Sequence, residues 1–394
     1  MSLIRRILSL ILVGLLCFSP SAFASVQPGD MIGRVPYTEL KLSARSMPDV
    51  TMQAGILVSD SGQVLWSRNA DERRQIASIT KIMTAILSIQ MIAPDKSLTV
   101  PSVTLEAQDS TAGLKAGEVL TRHQLLQAML IPSGNDAAKA LAVLCSGSEA
   151  AFVQKMNEKA RELGMTNTRF VDPDGVADEG PSSSAADVAT MARYAMTLPE
   201  FREVSAEREV KFVTNLATHE YKTTNDLLLM YTGASGVKTG FTDAAGYCLV
   251  GSASRQNVQL FAVVLGTEKM TTRFYEAADL LDFGFTHYRP QKLAMKGTIL
   301  GRSTISDYLD RQIPVALSHD ATANVNDLEG AVTRKVIIWE QRSPVRKGQQ
   351  LGMVRFIQNG RQIASTPLVS TQSLDRPFIL MRLWYAIVKG WRKL

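Results

Sequence analysis

Histidine is scarce in this chain of 394 residues. The four copies, His123, His219, His287 and His319, stand far apart. No two share the spacing that sets metal ligands on one helix face, which argues against a zinc enzyme and implies no cofactor. Cysteine is nearly as rare. Cys17 falls in the N-terminal apolar stretch, so only Cys145 and Cys248 remain, open to one disulfide or to two buried thiols and too few for a disulfide framework. There is no internal repeat and no low-complexity tract. The apolar run over residues 7–18 falls short of the about 20 residues a spanning helix needs. A basic face is missing as well. The formal net charge of +6 comes from the two ends, Arg5 and Arg6 at one and Arg376, Arg382, Lys389, Arg392 and Lys393 at the other. The body between them is close to neutral, which excludes a nucleic-acid partner.

The short apolar run is itself informative. Basic Arg5 and Arg6 precede it and the small-residue site Ala22-Phe23-Ala24 follows, the pattern of an export leader over residues 1–24. The remaining length is enough for more than one core. Residues 54–67 read strand, turn, strand, with Asp60-Ser61-Gly62 as the turn. A helical region extends to about Pro199, including helices over residues 123–131 and from Asn135. Strands return after Lys238, with a turn at Gln256-Asn257, and a helix covers residues 271–283. A sheet built from both ends of this segment, with helices inserted between, fits that order, and the hairpins argue against a parallel nucleotide-binding sheet. Near Pro290 the texture becomes short β runs with an Asn359-Gly360 hairpin turn, a small all-β domain. In the last stretch Ile379, Leu380, Leu383, Trp384, Ile387, Val388 and Trp391 share one helical face, opposite Arg382, Lys389 and Lys393. That amphipathic helix suits a membrane interface better than docking on the body of the protein.

Three short motifs carry chemistry. In QIASITKIMTA, Lys81 interrupts a helix that is apolar nearly all round. A buried lysine needs a task, and Ser78 stands one helical turn before it. Desolvation and a helix N-terminus both disfavour the ammonium, so Lys81 is a candidate base for a Ser78 nucleophile. The motif is weak alone, since Ser235 and Lys238 repeat it. Ser133-Gly134-Asn135 serves equally as a turn and helix cap, with Asp136 a candidate cap, or as a hydroxyl relay beside an amide that holds a peptide group. Lys238-Thr239-Gly240 reads as a polar strand start, or as a cation and hydroxyl that bind a carboxylate next to a glycine that lets substrate backbone approach.

Ser-x-x-Lys, Ser-x-Asn and Lys-Thr-Gly in this order resemble the penicillin-binding proteins and serine β-lactamases. The contexts IASITKIMTA, IPSGNDAA and GVKTGFTDAAGY, with TNDLL at residues 224–228 and KGQQLGMV in the β domain, are similar to the low-molecular-mass D-alanyl-D-alanine carboxypeptidases from about Ala54 to the C-terminus. The resemblance implies an α/β fold. A serine β-lactamase/transpeptidase-like domain (residues 25–288), an antiparallel sheet flanked by helices, precedes a small β-sandwich-like domain (289–375) and an anchoring helix (376–394). It implies Ser78 as nucleophile, Lys81 as base, Ser133 as proton relay and Asn135 as substrate orienter. Lys238, Thr239 and Gly240 would receive the terminal carboxylate, and the backbone N–H groups of Ser78 and Phe241 would form the oxyanion hole. Some relatives carry histidine where this chain has Phe241 or Asp174, and many carry proline at Ile76. The implied substrate is a peptidoglycan stem peptide ending in D-Ala-D-Ala, with β-lactams as covalent inhibitors, at the periplasmic face of the inner membrane. DD-endopeptidase action, weak β-lactamase action and a non-catalytic β-lactam or peptidoglycan receptor are the alternatives. The Glu-x-x-Leu-Asn stretch of class A β-lactamases is missing between Ser133 and Lys238.

Overall fold

The computed structural model describes residues 26–33, 35–40, 42, 46–102, 110–177 and 182–391. The leader expected over residues 1–24 lies outside them, as do Arg392 and Lys393. The chain divides into two compact units, Met1–Gly284 and Phe285–Leu394.

The first unit is organised by one antiparallel sheet. Its strands are β1 (Met31–Ile32), β2 (Val35–Pro36), β3 (Ala54–Ser59), β4 (Val64–Arg68), β5 (Ala234–Thr242), β6 (Gly246–Arg255) and β7 (Val258–Thr267), in the order β5-β6-β7-β3-β4-β1-β2. The central strands β3 and β7 are covered on both faces, which is why their sequences are nearly continuous apolar runs. Alternation still sorts their side chains. Ile56 and Val58 belong to the large helical core, whereas Leu57, with Leu65 and Leu260, lies against Gly284 of the helix Thr272–His287. At the far end of the sheet Arg68 and Asp30 form a buried bidentate pair at 2.7 Å that ties the β1 segment to β4.

Between the two halves of the sheet lies the helical insertion: α1 (Lys81–Met91), α2 (Arg122–Leu130), α3 (Asn135–Ser146), α4 (Glu149–Glu162), α5 (Ala185–Ala195) and α6 (Pro199–Ala206). Helix α1 is buried from Lys81 through Ser88 and packs against α3 and α5. It does not begin at Ser78. Ala77–Thr80 form a 3₁₀ turn that precedes it, with Ala77 at φ 48°. Helix α2 is closed by a capping box between Thr121 and Gln124. Asp136 does not cap α3, whose N-cap is Gly134 without a side-chain bond. Its carboxylate instead accepts from Thr111 Oγ1 and from the backbone of Ala112, Leu114 and Ala137 at 2.7–3.0 Å, pinning the 110–114 segment to the helix. Cys145 and Cys248 are both free thiols.

The second unit holds a five-stranded antiparallel sheet of β8 (Ile299–Thr304), β9 (Gln312–Leu317), β10 (Thr333–Ile338), β11 (Gln350–Gln358) and β12 (Arg361–Ser370), ordered β8-β9-β12-β11-β10. Tyr288–Ala294 and Ala321–Asn326 form a separate two-stranded ladder. Ile305, Val315, Leu351, Val354, Phe356 and Leu368 fill the core. The Asn359-Gly360 pair turns β11 into β12 with φ of 47° and 73°, the left-handed conformation a two-residue hairpin demands. A helix, Ile379–Trp391, follows. Phe378, just before it, and Ile379, Leu380, Leu383, Trp384 and Ile387 on it are exposed, and no helix among the described residues is long and apolar enough to cross a membrane.

Candidate active site

The three motifs meet at one cleft of about 1070 Å³, lined by Ser78, Ser133, Asn135, Thr239, Gly240 and Phe241 among others. Ser78 arrives on the 3₁₀ turn, Ser133 and Asn135 at the start of α3, and Thr239–Phe241 on the edge strand β5. Lys238, Thr239 and Gly240 thus lie inside a strand rather than at its start. The edge position leaves one side of β5 unpaired and facing the cleft.

Two glycines hold the turn that carries Ser78. A Cβ on Gly240 would stand 2.9 Å from Ile76 O and 3.2 Å from Ser78 N, so β5 touches the turn backbone to backbone. On the other side a Cβ on Gly175 would stand 2.1 Å from Ala77 O, and Gly175 has φ 89°. Gly175 excludes any side chain by contact and by conformation, and a side chain at Gly240 would push β5 and the turn apart. Ala77 and Ser133, at φ 48° and 68°, are non-glycine residues in the left-handed region, a cost that packing on both sides sustains at the site.

Beneath the cleft lies Lys81, fully buried. Its Nζ is 2.8 Å from Ser78 Oγ, 2.7 Å from Asn135 Oδ1 and 2.8 Å from the backbone oxygen of Asp174. Burial lowers its pKa from 10.5 to about 8, against the opposing pull of Asp174, Asp172 and Asp136. The hydrogen-bond inventory then fixes the amine's orientation. Asn135 Oδ1 and Asp174 O can only accept, so whenever the amine loses a proton they keep its two remaining N–H groups. In that state the lone pair is left for the Ser78 hydroxyl, to which the ammonium otherwise donates.

Lys238 is also buried and does not line the cleft. Its Nζ donates to Thr239 O at 2.9 Å, and burial holds its pKa well below the usual lysine range, with repulsion from Lys81 and Arg273 adding to the effect. The cleft wall above it presents Thr239, whose Oγ1 is 2.7 Å from Thr224 Oγ1, and Arg273, which donates to Gly240 O at 3.1 Å. Phe241, half exposed, stacks on Tyr247 with centroids 4.2 Å apart.

Sequence reasoning missed Arg273, Thr224 as a site residue, and the Asp174 carbonyl. Thr224 sits in the TNDLL stretch, a usable signal. Arg273 carries none, because it reaches β5 from a helix that begins at Thr272. A backbone carbonyl has no side-chain signature at all.

A serine hydroxyl bonded to a desolvated lysine, on a turn against an edge strand, defines a serine acyl-transfer enzyme. Comparison with known proteins narrows the class. The family profile described as D-alanyl-D-alanine carboxypeptidase matches residues 41–269, and the one described as penicillin-binding protein 5, C-terminal domain, matches residues 288–376. The D-alanyl-D-alanine carboxypeptidase DacF of Bacillus subtilis is 32% identical over 94% of this chain and 95% of its own length. DacC of Escherichia coli is 29% identical over 94% and 92%. Among solved structures, penicillin binding protein 5 from Haemophilus influenzae superposes with a TM-score of 0.64 at 28% identity, covering 84% of this chain and 99% of that one. The chain belongs to the D-alanyl-D-alanine carboxypeptidase family of the low-molecular-mass penicillin-binding proteins.

Proposed function

We propose that this protein is a serine-type D-Ala-D-Ala carboxypeptidase that trims peptidoglycan stem peptides through an acyl-enzyme on Ser78. The observation that carries the reading is the 2.8 Å contact between Ser78 Oγ and a fully buried Lys81 amine whose other two neighbours only accept. Lys81 takes the Ser78 proton as Oγ bonds to the penultimate D-Ala carbonyl carbon. The developing oxyanion is met by the backbone N–H groups of Ser78 and Phe241, a role that the close approach of Gly240 to the Ser78 turn supports. The C–N bond breaks, the leaving amine takes a proton relayed through Ser133, and water hydrolyses the ester. Asn135 orients the substrate amide, and the terminal carboxylate docks at Thr239 with the Arg273 guanidinium and the Lys238 amine behind it. A β-lactam acylates Ser78 by the same steps and keeps its leaving group tethered.

Replacing Ser78 with alanine abolishes both D-Ala release from a peptide ending in D-Ala-D-Ala and covalent labelling by a fluorescent penicillin; labelling that persists in S78A refutes the assignment. An adduct that lasts minutes or longer separates the enzyme from a β-lactamase, and steady D-Ala release separates it from a non-catalytic receptor.

The helix Ile379–Trp391 supports a peripheral place on the periplasmic face of the cytoplasmic membrane, after export by the leader. Its exposed Leu380, Leu383, Trp384 and Ile387 suit the acyl boundary, and the basic residues around them suit anionic headgroups. Deleting residues 378–394 leaves a soluble, active enzyme; unchanged binding to anionic vesicles counts against this placement.

A further inference from the structure

One carboxylate at the site has no task in this mechanism. The loop from Val171 to Ala177 is folded on itself by Asp172, which accepts from Gly175 N and Ala177 N at 2.6 Å. Helix α1 grips the same loop twice, through Thr84 Oγ1 to Pro173 O at 2.5 Å and Lys81 Nζ to Asp174 O at 2.8 Å. The Asp174 side chain is fully buried by this arrangement, no side-chain donor reaches either oxygen, and the backbone N–H of Val176 is the one hydrogen-bonding group beside it. The nearest cation is Lys139 on α3, 3.9 Å from Oδ2 and largely buried itself. A buried carboxylate with so few donors is costly, and a neutral residue of similar size would fold as well without that cost.

We propose that Asp174 and Lys139 are positioning residues for the proposed base, a pair of opposed charges that together set the pH at which Lys81 can accept the Ser78 proton. Five titratable groups face Lys81: Asp172 and Asp174 from the loop, Asp136 and Lys139 from α3, and Lys238 from β5. Of these, Asp172 and Asp136 already accept hydrogen bonds that fix their loops. Asp174 and Lys139 form a loose ion pair at 3.9 Å, too long for a hydrogen bond, and act on Lys81 through their fields. The carboxylate favours the lysine ammonium; the Lys139 cation disfavours it. Burial pushes Asp174 up to about 6, so it remains a carboxylate where Lys81 titrates.

The test is the pH profile of acylation. It rests on Lys81 being the base, and the profile of the unaltered protein checks that separately. The second-order rate constant for a fluorescent penicillin is measured by stopped flow from pH 5 to 10 for the full chain, Asp174→Asn and Lys139→Met. An amide side chain at this position leaves the backbone carbonyl that holds Lys81 in place, so D174N removes only the charge. Its acid limb moves to lower pH, by about half a unit or more, because the amine loses its proton more easily. K139M moves the limb the other way. A merely structural role changes the plateau rate and leaves the midpoint in place. Midpoints that stay put, or that shift in one common direction, overturn the proposal. If D174N does not fold, the upward shift in K139M decides alone, and its absence is a refutation. A profile of the unaltered protein with no inflection at all sinks the Lys81 assignment itself.

Discussion

Substituting Gly240 with alanine tests the geometry on which the proposed oxyanion hole depends. Gly240 has an ordinary backbone conformation, so alanine there strains no dihedral, and the whole effect is contact. The added Cβ would lie 2.9 Å from Ile76 O, 3.2 Å from Ser78 N and 3.2 Å from Ile79 N, all backbone atoms with no rotamer to adjust. Restoring ordinary contact separates β5 from the Ser78 turn by roughly half an ångström, where a misplacement of about 1 Å is enough for a hundredfold loss. Since the separation pulls the Ser78 and Phe241 N–H groups apart, a fall of roughly 10- to 100-fold in the acylation rate constant is expected. The overpacking itself costs about 1–3 kcal/mol, a lowering of the melting temperature by a few degrees. The assay is stopped-flow acylation by a fluorescent penicillin alongside thermal melts. The pH midpoint should not move, because the substitution changes no charge around Lys81. Acylation at the unaltered rate would show that β5 does not press on the turn, and the oxyanion argument would fail with it.

The buried amine makes a second set of expectations. With Lys81 at about 8 rather than 10.5, the neutral fraction at pH 7 is roughly 300-fold larger than for a solvated lysine, and acylation should rise about tenfold per pH unit toward a plateau above pH 8. Stability carries the same signature with a definite sign. Between about 8 and 10.5 the unfolded chain holds more protons at this position, so the folded state gains stability as pH rises through that window. The stability advantage of the protein lacking this cost, Lys81→Met, therefore shrinks by about 2–3 kcal/mol from pH 8 to 10 in urea melts; a constant difference refutes the buried-cation account. A third expectation concerns His219. Its Nε2 is 2.6 Å from Glu118 Oε1 and its Nδ1 2.8 Å from Tyr221 OH, whose one proton goes to Ala112 O at 2.9 Å. The imidazole thus bridges the Glu118 carboxylate and the Tyr221 hydroxyl inside the fold. Burial alone would raise Glu118, but hydrogen bonds from Thr214 and His219 hold it below the usual range, as a carboxylate. Replacing His219 with alanine leaves buried Glu118 and Tyr221 without this bridge and should cost about 1–3 kcal/mol in urea melts; unchanged stability would contradict the bridging role.

Much of this architecture could be read from residue patterns. The two halves of the sheet announced themselves as alternating or continuously apolar runs, and Asn359-Gly360 marked its hairpin, because these signals are local. The three motifs were legible for the same reason. What local signals could not convey was tertiary constraint. Ser78 looks like the start of a helix, yet Ala77 is forced to positive φ and a 3₁₀ turn forms between Gly175 and Gly240, which come from distant segments. Asp136 has every property of a cap and is used instead as an anchor for the 111–114 backbone. Lys238 reads as a ligand for substrate, and the fold sets it behind Thr239, out of the cleft lining.

The strand order has a consequence for how activity appears during synthesis. Strand β5 reaches β3 only across β6 and β7, and β7 is the last of the sheet's strands in the chain. A nascent polypeptide halted before Val258 therefore already contains the serine, the lysine and the Lys-Thr-Gly triplet, yet has no scaffold to bring the triplet against the serine. Its reactivity toward antibiotic should switch on abruptly once Thr267 is free to pair, making adduct formation on stalled chains of graded length a direct clock for completion of the sheet.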